Sequence, residues 1–214
     1  LAMDDPAHLR LRTLVSKGFT PRRIRELEPR VTELAAQHLD VMLEKAEAGS
    51  TVDYVAEFAG KLPMDVISEL MGVPVEDRDR IRAMADGVMH REDGVNDVPK
   101  SAIEASINLM VYYQDMIAER RKRPADDLTT ALLEAEIDDD RLTDEEVLGF
   151  LFLMVIAGNE TTTKLLANAA FWGHRNPDQL TPIYSDLERI PLWVEETLRY
   201  DTSSQLLARV VSGE

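Results

Sequence analysis

The chain has 214 residues, of which 44% are hydrophobic and 30% are charged, and its formal net charge at pH 7 is -16. This length is enough for one large domain with a sizeable core, and the composition is that of an ordinary soluble protein. Such acidity argues against a nucleic-acid-binding surface, which needs a basic face. The sequence has no cysteine and therefore supplies no disulfide and no thiolate ligand, and its four histidines lack a metal-binding spacing.

The longest apolar run, Val147 to Ala157, is shorter than the roughly 20 residues that a membrane-spanning helix needs. No secretory signal is recognisable, and we expect a cytoplasmic protein without a membrane partner. The sequence opens with "LAMDDPAHLR" and closes with "ARVVSGE", where a strand is predicted to begin. Both ends are therefore expected to lie inside a domain, as in a segment of a longer protein.

The first half of the sequence is predicted to be helical with one short strand. Asp5 before Pro6 is a common helix start. A second helix is expected from Pro21 to about Ala48, with Gly49 at its end. The other elements expected in this half are a strand at 51–53, a helix from Tyr54 that is kinked at Pro63 and ends at Gly72, and helices at 76–88 and 100–123.

The second half is predicted to contain one long helix, after a short helix that follows Asp127. Thr143 and Glu146 have the spacing of a capping box at its start, and Pro177 follows its other end. About 30 residues of helix extend about 45 Å. Because the helix is apolar nearly all round from Val147 to Ala157, we expect it to cross the centre of the domain. A helix at about 191–200 and a strand at 206–211 complete a mainly α chain.

The long helix carries an unusual interruption, "AGNETTT", at residues 157–163. Thr161 follows Ala157 by four residues, so its hydroxyl can bond that carbonyl group. Gly158 removes a side chain, which leaves room for a flat or bulky ligand beside the backbone. Glu160 is adjacent to Thr161, so the two side chains diverge by about 100°. An alcohol backed by a carboxylate is a suitable pair for proton delivery.

A packing interpretation explains the same residues without a ligand: small residues admit a neighbouring helix, and Glu160 pairs with an arginine. On composition alone this interpretation is favoured. Two further pairs share a helix face, His8 with Arg12 at i,i+4 and Glu196 with Arg199 at i,i+3. His8 and Arg12 are suited to holding the carboxylates of a ligand, although a solvated face is the default for such pairs.

Taken in order and spacing, these stretches resemble the cytochrome P450 family, the haem-thiolate monooxygenases, in its soluble bacterial type. The stretch "DDPAHLRLRTLVSKGFTP" resembles the family's C-helix and the start of its D-helix, and "AGNETT" resembles its I-helix signature. Glu196 and Arg199 fit the Glu-x-x-Arg of its K-helix. The resemblance covers the whole chain and implies a mainly α, P450-like helical domain, a single incomplete one over 1–214, from the C-helix to the start of the strand after the K-helix.

The resemblance implies that five residues bind the cofactor, haem b. His8 and Arg12 would contact the haem propionates, as would Arg209, which lies where the family has a further propionate-binding arginine. Ala157 and Gly158 would lie over the distal face of the haem, where oxygen binds. The haem would supply the oxygen chemistry, and the protein would supply orientation, protons and a dry pocket.

The resemblance also implies catalytic and structural roles. Thr161 would hydrogen-bond the oxygen bound at the haem, and Glu160 would support proton delivery. Glu196 and Arg199 would be structural and tie the K-helix to a downstream loop. The expected reaction is O2-dependent hydroxylation of a small, hydrophobic organic substrate. Its electrons would come from NAD(P)H through a redox partner of the ferredoxin or flavodoxin type.

Two departures from the family pattern affect the expected function. The family's cysteine ligand is absent from this sequence, so no metal ligand is assigned and the segment alone is expected to be inactive. Ser203 stands where many relatives have proline, in a stretch that lines the substrate pocket, which leaves the substrate open. A non-enzymatic all-α ligand-binding or interaction module is the alternative, whereas a terpene-synthase-like enzyme is set aside because the sequence has no Asp-Asp-x-x-Asp run.

Overall fold

The computed structural model describes residues 3–95, 97–206 and 208, apart from the side chain of Arg23. These residues form nine α-helices and one two-stranded antiparallel hairpin. In chain order the elements are α1 (Ala7–Val15), α2 (Pro21–Glu47), α3 (Leu62–Met71), α4 (Arg78–Met89), α5 (Lys100–Lys122), α6 (Leu128–Leu133), β1 (Glu136–Ile137), β2 (Asp140–Arg141), α7 (Asp144–Arg175), α8 (Pro177–Ser185) and α9 (Ile190–Tyr200).

The core lies between α7 and the helices that pack against it. α7 contacts α3, α4, α5, α6 and α9, and α4 packs along α5. The first half of α7 buries Val147, Leu151 and Val155 completely. Fully buried side chains from α3 and α5, such as Met64 and Tyr113, belong to the same apolar cluster. The mainly α fold expected from the sequence is confirmed.

α7 has the predicted length and start, but neighbouring helices cover less of its apolar stretch than its sequence suggests. The Glu146 N–H donates to Thr143 Oγ1 at 3.2 Å, and the Thr143 N–H donates to Glu146 Oε2 at 2.9 Å, so the capping box is complete. As expected, α7 packs against most of the other helices, but its apolar stretch is not covered on every side by the described residues. Leu153 and Ala157 are exposed, because the helices that cover α7 lie on the face of Val155.

By length and composition, α7 is the one helix of the described part of the chain that would be able to cross a bilayer. This differs from the expectation based on the shorter run Val147 to Ala157, because the whole helix has 32 residues. The core helix of a soluble protein meets the same criterion. The buried residues of α7 pack into the apolar cluster that the other helices share.

Two other local predictions near the start of the chain are wrong. Residues 51–53 form no strand. Asp53 instead begins a π-helical turn, Val55–Ala59, and its Oδ1 accepts from the N–H groups of Val55 at 2.9 Å and Ala56 at 3.0 Å. α1 begins at Ala7 and not at Pro6, although the Asp5 carboxylate still accepts from an N–H of the first turn, that of Leu9, at 3.2 Å.

Two elements were not predicted, the hairpin and α8. The hairpin turns at Asp138 and Asp139, which both adopt the left-handed conformation with φ values of 51° and 65°. Aspartate tolerates this conformation better than most residues, so the acidic run is a turn signal. Pro177 ends one helix and also stands at the first position of α8. The strand expected at 206–211 lies largely outside the described residues.

The predicted short helix after Asp127 is confirmed as α6, and Asp127 joins it to two other elements. Its Oδ1 accepts from the Thr130 N–H at 2.8 Å as the helix cap, and its Oδ2 accepts from Arg120 Nε of α5 at 2.5 Å. Arg120 also donates to the carbonyl oxygen of Gly72, at the end of α3, at 2.9 Å. The Asp127 side chain is only 4% exposed.

We predict that Asp127→Ala lowers the free energy of unfolding by roughly 3–5 kcal/mol, because it leaves Arg120 without its counter-charge and removes a helix cap. Asp126→Ala is the matched control, since Asp126 is exposed and should change stability by at most about 0.5 kcal/mol. Urea denaturation of the complete protein measures both. Equal losses in the two variants would show that the Asp127 contacts contribute nothing specific.

Candidate active site

Residues 157–163, which interrupt the apolar sequence of α7, are part of one continuous helix. Thr161 Oγ1 donates to the carbonyl oxygen of Ala157 at 2.8 Å, as the spacing predicted. The hydroxyl proton is thereby used within the helix, whereas the lone pairs of the hydroxyl oxygen can still accept hydrogen bonds. Leu153, Ala157 and Thr161 recur every four residues, so an exposed apolar strip of α7 carries one hydroxyl group.

Gly158 faces α3. A Cβ atom at this position would lie 2.6 Å from Ile67 Cδ1, which is closer than side chains approach each other. The space that was predicted to admit a ligand is therefore filled by Ile67, so the packing interpretation holds for this glycine. Its position over a haem stays a prediction that the geometry does not address.

We predict that Gly158→Ala lowers the free energy of unfolding by about 1–3 kcal/mol, because α3 must move or Ile67 must change rotamer. Gly149→Ala, in the same helix, is the matched control. A Cβ atom at Gly149 meets no other atom within 4 Å, so this variant should raise stability by about 0.5–1 kcal/mol through helix propensity. Thermal unfolding distinguishes the two, and the same sign for both would contradict the close contact.

Glu160 pairs with a lysine and not with the arginine that the packing interpretation expected. Its Oε1 lies 2.6 Å from Lys164 Nζ, one turn further along α7. Glu160 is partly exposed and borders a cleft of about 230 Å³ between α4 and α7. The carboxylate therefore lies at the boundary between this cleft and solvent.

Asn159 and Asp86 are neighbours of Glu160 that the sequence analysis did not single out. Asn159 is buried, and its Nδ2 lies 3.5 Å from Asp86 Oδ1 of α4. Burial raises the pKa of Asp86, the charge of Glu160 raises it further, and the charge of Arg82 acts in the opposite direction. Asn159 lies inside the quoted "AGNETT" stretch, but no local pattern marks Asp86, because 73 residues separate it from Asn159.

The predicted haem-anchoring face of α1 is exposed. His8 and Arg12 both face solvent, and the His8 Nδ1 atom lies 3.5 Å from Asp5 Oδ1. Within the described part of the chain, Arg12 forms no ion pair. Arg209, the third predicted propionate contact, lies outside the described residues.

Arg10, between His8 and Arg12 in the sequence, holds α1 in place. Its guanidinium group donates to both carboxylate oxygens of Asp140 at 2.7 Å, to Glu146 Oε1 at 2.5 Å and to the Arg141 carbonyl oxygen at 2.9 Å. Glu146 also belongs to the capping box of α7. α1 is therefore fastened to the first turn of the helix that carries Thr161.

The predicted pairing of Glu196 with Arg199 is present in α9. Arg199 donates through Nε and Nη2 to the two carboxylate oxygens of Glu196, both at 2.7 Å. The hydrogen bond from Arg199 lowers the pKa of Glu196. Both side chains are more than half exposed, so the contacts of the described residues do not bury this pair. α9 is held to α7 nearby, where Trp172 Nε1 donates to Asp201 Oδ2 at 2.7 Å.

Comparison with individual known proteins and with family models gives different results. No family model matches the chain. It is 70% identical over 214 residues to the putative cytochrome P450 123 of Mycobacterium tuberculosis (strain ATCC 25618 / H37Rv), covering 100% of this chain and 52% of that protein. It is 42% identical over 202 residues to cytochrome P450 107B1 of Saccharopolyspora erythraea, covering 94% of this chain and 48% of that protein.

The fold is similar to solved structures of the same class. Cytochrome P450 CYP109Q5 from Chondromyces apiculatus matches with a TM-score of 0.82 and 36% identity, over 93% of this chain and 48% of that structure. The chain thus spans about half the length of the relatives that it matches. In sequence and in fold, it belongs to the cytochrome P450 family.

Proposed function

We propose that the whole protein is a haem-thiolate monooxygenase that activates O2 and hydroxylates a small, hydrophobic organic substrate. The observation that carries this proposal is the open strip of α7. Leu153 and Ala157 are exposed there, and Thr161 presents a hydroxyl oxygen beside them. An uncovered apolar strip on a helix whose other face is in the core suits a large flat ligand.

The chemistry of the exposed groups suits a haem. A haem is flat and apolar on its faces and carries two carboxylates at one edge, so it needs an apolar surface and cationic groups. α7 offers the surface at Ala157, and α1 offers His8 and Arg12. When bound with a cysteine thiolate ligand, the haem supplies the oxygen-activating chemistry. His8 and Arg12 are proposed to hold its propionates, and Arg209 is proposed as a third contact.

Thr161 and Glu160 are proposed to move protons. Lys164 holds the Glu160 carboxylate at the boundary of the cleft, where it can exchange protons with water. The Thr161 hydroxyl is oriented by its bond to the Ala157 carbonyl group, which leaves its oxygen to accept a hydrogen bond on the open side of the helix. The two residues together would conduct a proton from solvent to the reacting face.

The electron donor is proposed to be NAD(P)H, acting through a redox partner of the ferredoxin or flavodoxin type. In a chain with a net charge of -16, the exposed cations Arg12, Lys17 and Arg25 are concentrated in α1 and the start of α2. None of the three forms an ion pair with another described residue. Such a local basic surface favours an acidic protein partner. We place the protein in the cytoplasm, with neither a nucleic acid nor a membrane as a partner.

A non-enzymatic all-α binding module is the second candidate. It is favoured by the contact of Gly158 with Ile67 and by the pairing of Glu160 with Lys164. Both contacts account for residues of the interrupted stretch without any cofactor. The two candidates differ in whether the complete protein holds a haem.

We predict that the complete protein holds haem with a thiolate-type ferrous–CO spectrum. We also predict that changing His8 and Arg12 together to alanine lowers the haem content of the protein several-fold. The reason is that charge-assisted hydrogen bonds to carboxylates are about twice as strong as neutral ones. Haem content per protein is measured by absorption of the extracted pigment. Thr13→Ala is the control on the same helix, where an exposed hydroxyl bonds only its own backbone. A protein without a Soret band would support the binding module, and full haem content in the double variant would contradict the anchoring role.

We predict that Thr161→Ala keeps haem and substrate binding but diverts electrons from product to hydrogen peroxide, because the proton no longer reaches the reacting face at the right place. Thr161→Ser retains the hydroxyl and should keep most of the coupling. Product and peroxide formed per NAD(P)H oxidised are the quantities to measure, with at least a several-fold change in their ratio expected for the alanine variant. Equal coupling in Thr161→Ala and the wild type would exclude proton delivery by this residue.

A further inference from the structure

The end of α9 is fastened to α7 through a single residue, Asp201. Asn168 Nδ2 of α7 donates to the carbonyl oxygen of Asp201 at 2.8 Å, and Trp172 Nε1 donates to Asp201 Oδ2 at 2.7 Å. The Trp172 ring also meets the Tyr200 ring edge to face, with 5.0 Å between the ring centroids. All three hydrogen-bonding residues are partly buried. We call Asn168, Trp172 and Asp201 the Asp201 clamp.

The clamp lies on the same face of α7 as the proposed reacting face. Asn168 follows Thr161 by seven residues and Trp172 follows it by eleven. At 3.6 residues per turn, these spacings are close to two and three whole turns of the helix. The strip that is exposed at Ala157 is therefore covered further along α7, where Asp201 binds to it.

α9 approaches the exposed part of this strip as the chain proceeds. Near its start, Trp193 packs beside Gly173, where an added Cβ atom would lie 3.6 Å from Trp193 Cζ2. At its end, Asp201 binds to Asn168, so α9 advances along α7 in the direction of Thr161. The Asp201 carbonyl group, from which the chain continues, is the group that Asn168 holds. The residues that follow α9 are therefore directed towards the exposed strip.

The segment 202–206 is long enough to reach this strip. Seven helical residues separate Asn168 from Thr161, which is about 10 Å along the axis of α7. An extended chain spans about 3.3–3.6 Å per residue, so about three residues beyond Asp201 cover the distance. Four of the five residues 202–206 are exposed, and Leu206 is 85% exposed. Within the described part of the chain, the segment therefore depends on the Asp201 clamp for its direction.

We propose that the Asp201 clamp positions residues 202–206 as one wall of the substrate site beside the Ala157–Thr161 strip. This inference rests on the proposed monooxygenase function and names residues that orient the substrate. Asn168, Trp172 and Asp201 are positioning residues, since they act through the segment and not by touching the substrate. A wall that is fixed before binding costs less conformational entropy when a substrate settles against it. The bond from Trp172 to a carboxylate is of the stronger, charge-assisted type.

A purely structural role for the clamp has different consequences. If Asp201 only joined α9 to α7, its loss would lower the melting temperature and the haem content. It would not change how the site distinguishes a long ligand from a short one. The ratio of two affinities therefore separates the two roles.

The experiment titrates the complete, haem-loaded protein with imidazole and with 1-octylimidazole, and it follows the shift of the Soret band. Both compounds bind iron through a ring nitrogen, but only the octyl chain extends to the wall. Trp172→Phe removes the indole N–H group and keeps an aromatic ring beside Tyr200. Trp193→Phe, at the other of the two tryptophans, is the matched control outside the clamp. Asp201→Ala removes the acceptor of Trp172, whereas Asp201→Asn retains an oxygen that can accept.

We expect the wild type to bind 1-octylimidazole more tightly than imidazole. This preference should fall at least about fivefold in Trp172→Phe and in Asp201→Ala, because a hydrogen bond that fixes the wall is lost. It should stay within about twofold of the wild type in Trp193→Phe and in Asp201→Asn. The affinity for imidazole alone should not change in any of the four variants, since imidazole does not reach the wall.

An unchanged preference in Trp172→Phe and Asp201→Ala, with only a lower melting temperature, would overturn the inference. An equal fall in Trp193→Phe would overturn it as well, because the effect would then not depend on the bond to Asp201. A normal Soret band with unchanged preference rejects the clamp alone. A complete protein without a Soret band rejects the monooxygenase proposal and this inference together.

Discussion

The contact between α7 and α3 is the constraint on which the rest of the structure depends. Gly158 lets Ile67 approach the α7 backbone more closely than any side chain would permit. This approach directs one face of α7 into the core, where Val155 is fully buried. Burying that face leaves the other side of the helix less covered, so Ala157 is exposed and Thr161 is partly exposed. The candidate active site therefore follows from how the core is packed.

Some of the polar residues in the middle of this apolar helix are stabilised by a specific contact. Thr161 bonds to its own backbone, and Glu160 pairs with Lys164. Asn159 Oδ1 and Thr163 Oγ1 are the exceptions, since both remain unpaired among the described residues. An unfavourable group kept in a helix of this kind points to function rather than to packing. The interruption thus separates two faces of α7, one that packs against α3 at Gly158 and one that is proposed to face the haem.

How much the sequence predicted depends on how far apart the interacting residues are. The capping box at Thr143 and the end of α3 at Gly72 follow from neighbouring residues, and both are confirmed. The bond from Thr161 to Ala157 was predictable for the same reason. The ion pair of Arg10 with Asp140 spans 130 residues, so no local pattern indicates it. The sequence likewise cannot tell whether the space beside a glycine admits a ligand or a neighbouring helix, because this depends on tertiary packing.

The most direct test of this account is a crystal structure of the complete, haem-loaded protein. We predict that Ala157 and the Thr161 hydroxyl face the distal side of the haem, while Gly158 remains in contact with Ile67. His8 and Arg12 should lie at the propionate edge of the haem. A haem bound elsewhere, or a Thr161 side chain covered by protein on a helix that holds no cofactor, would contradict the central claim that the uncovered strip of α7 is the reacting face.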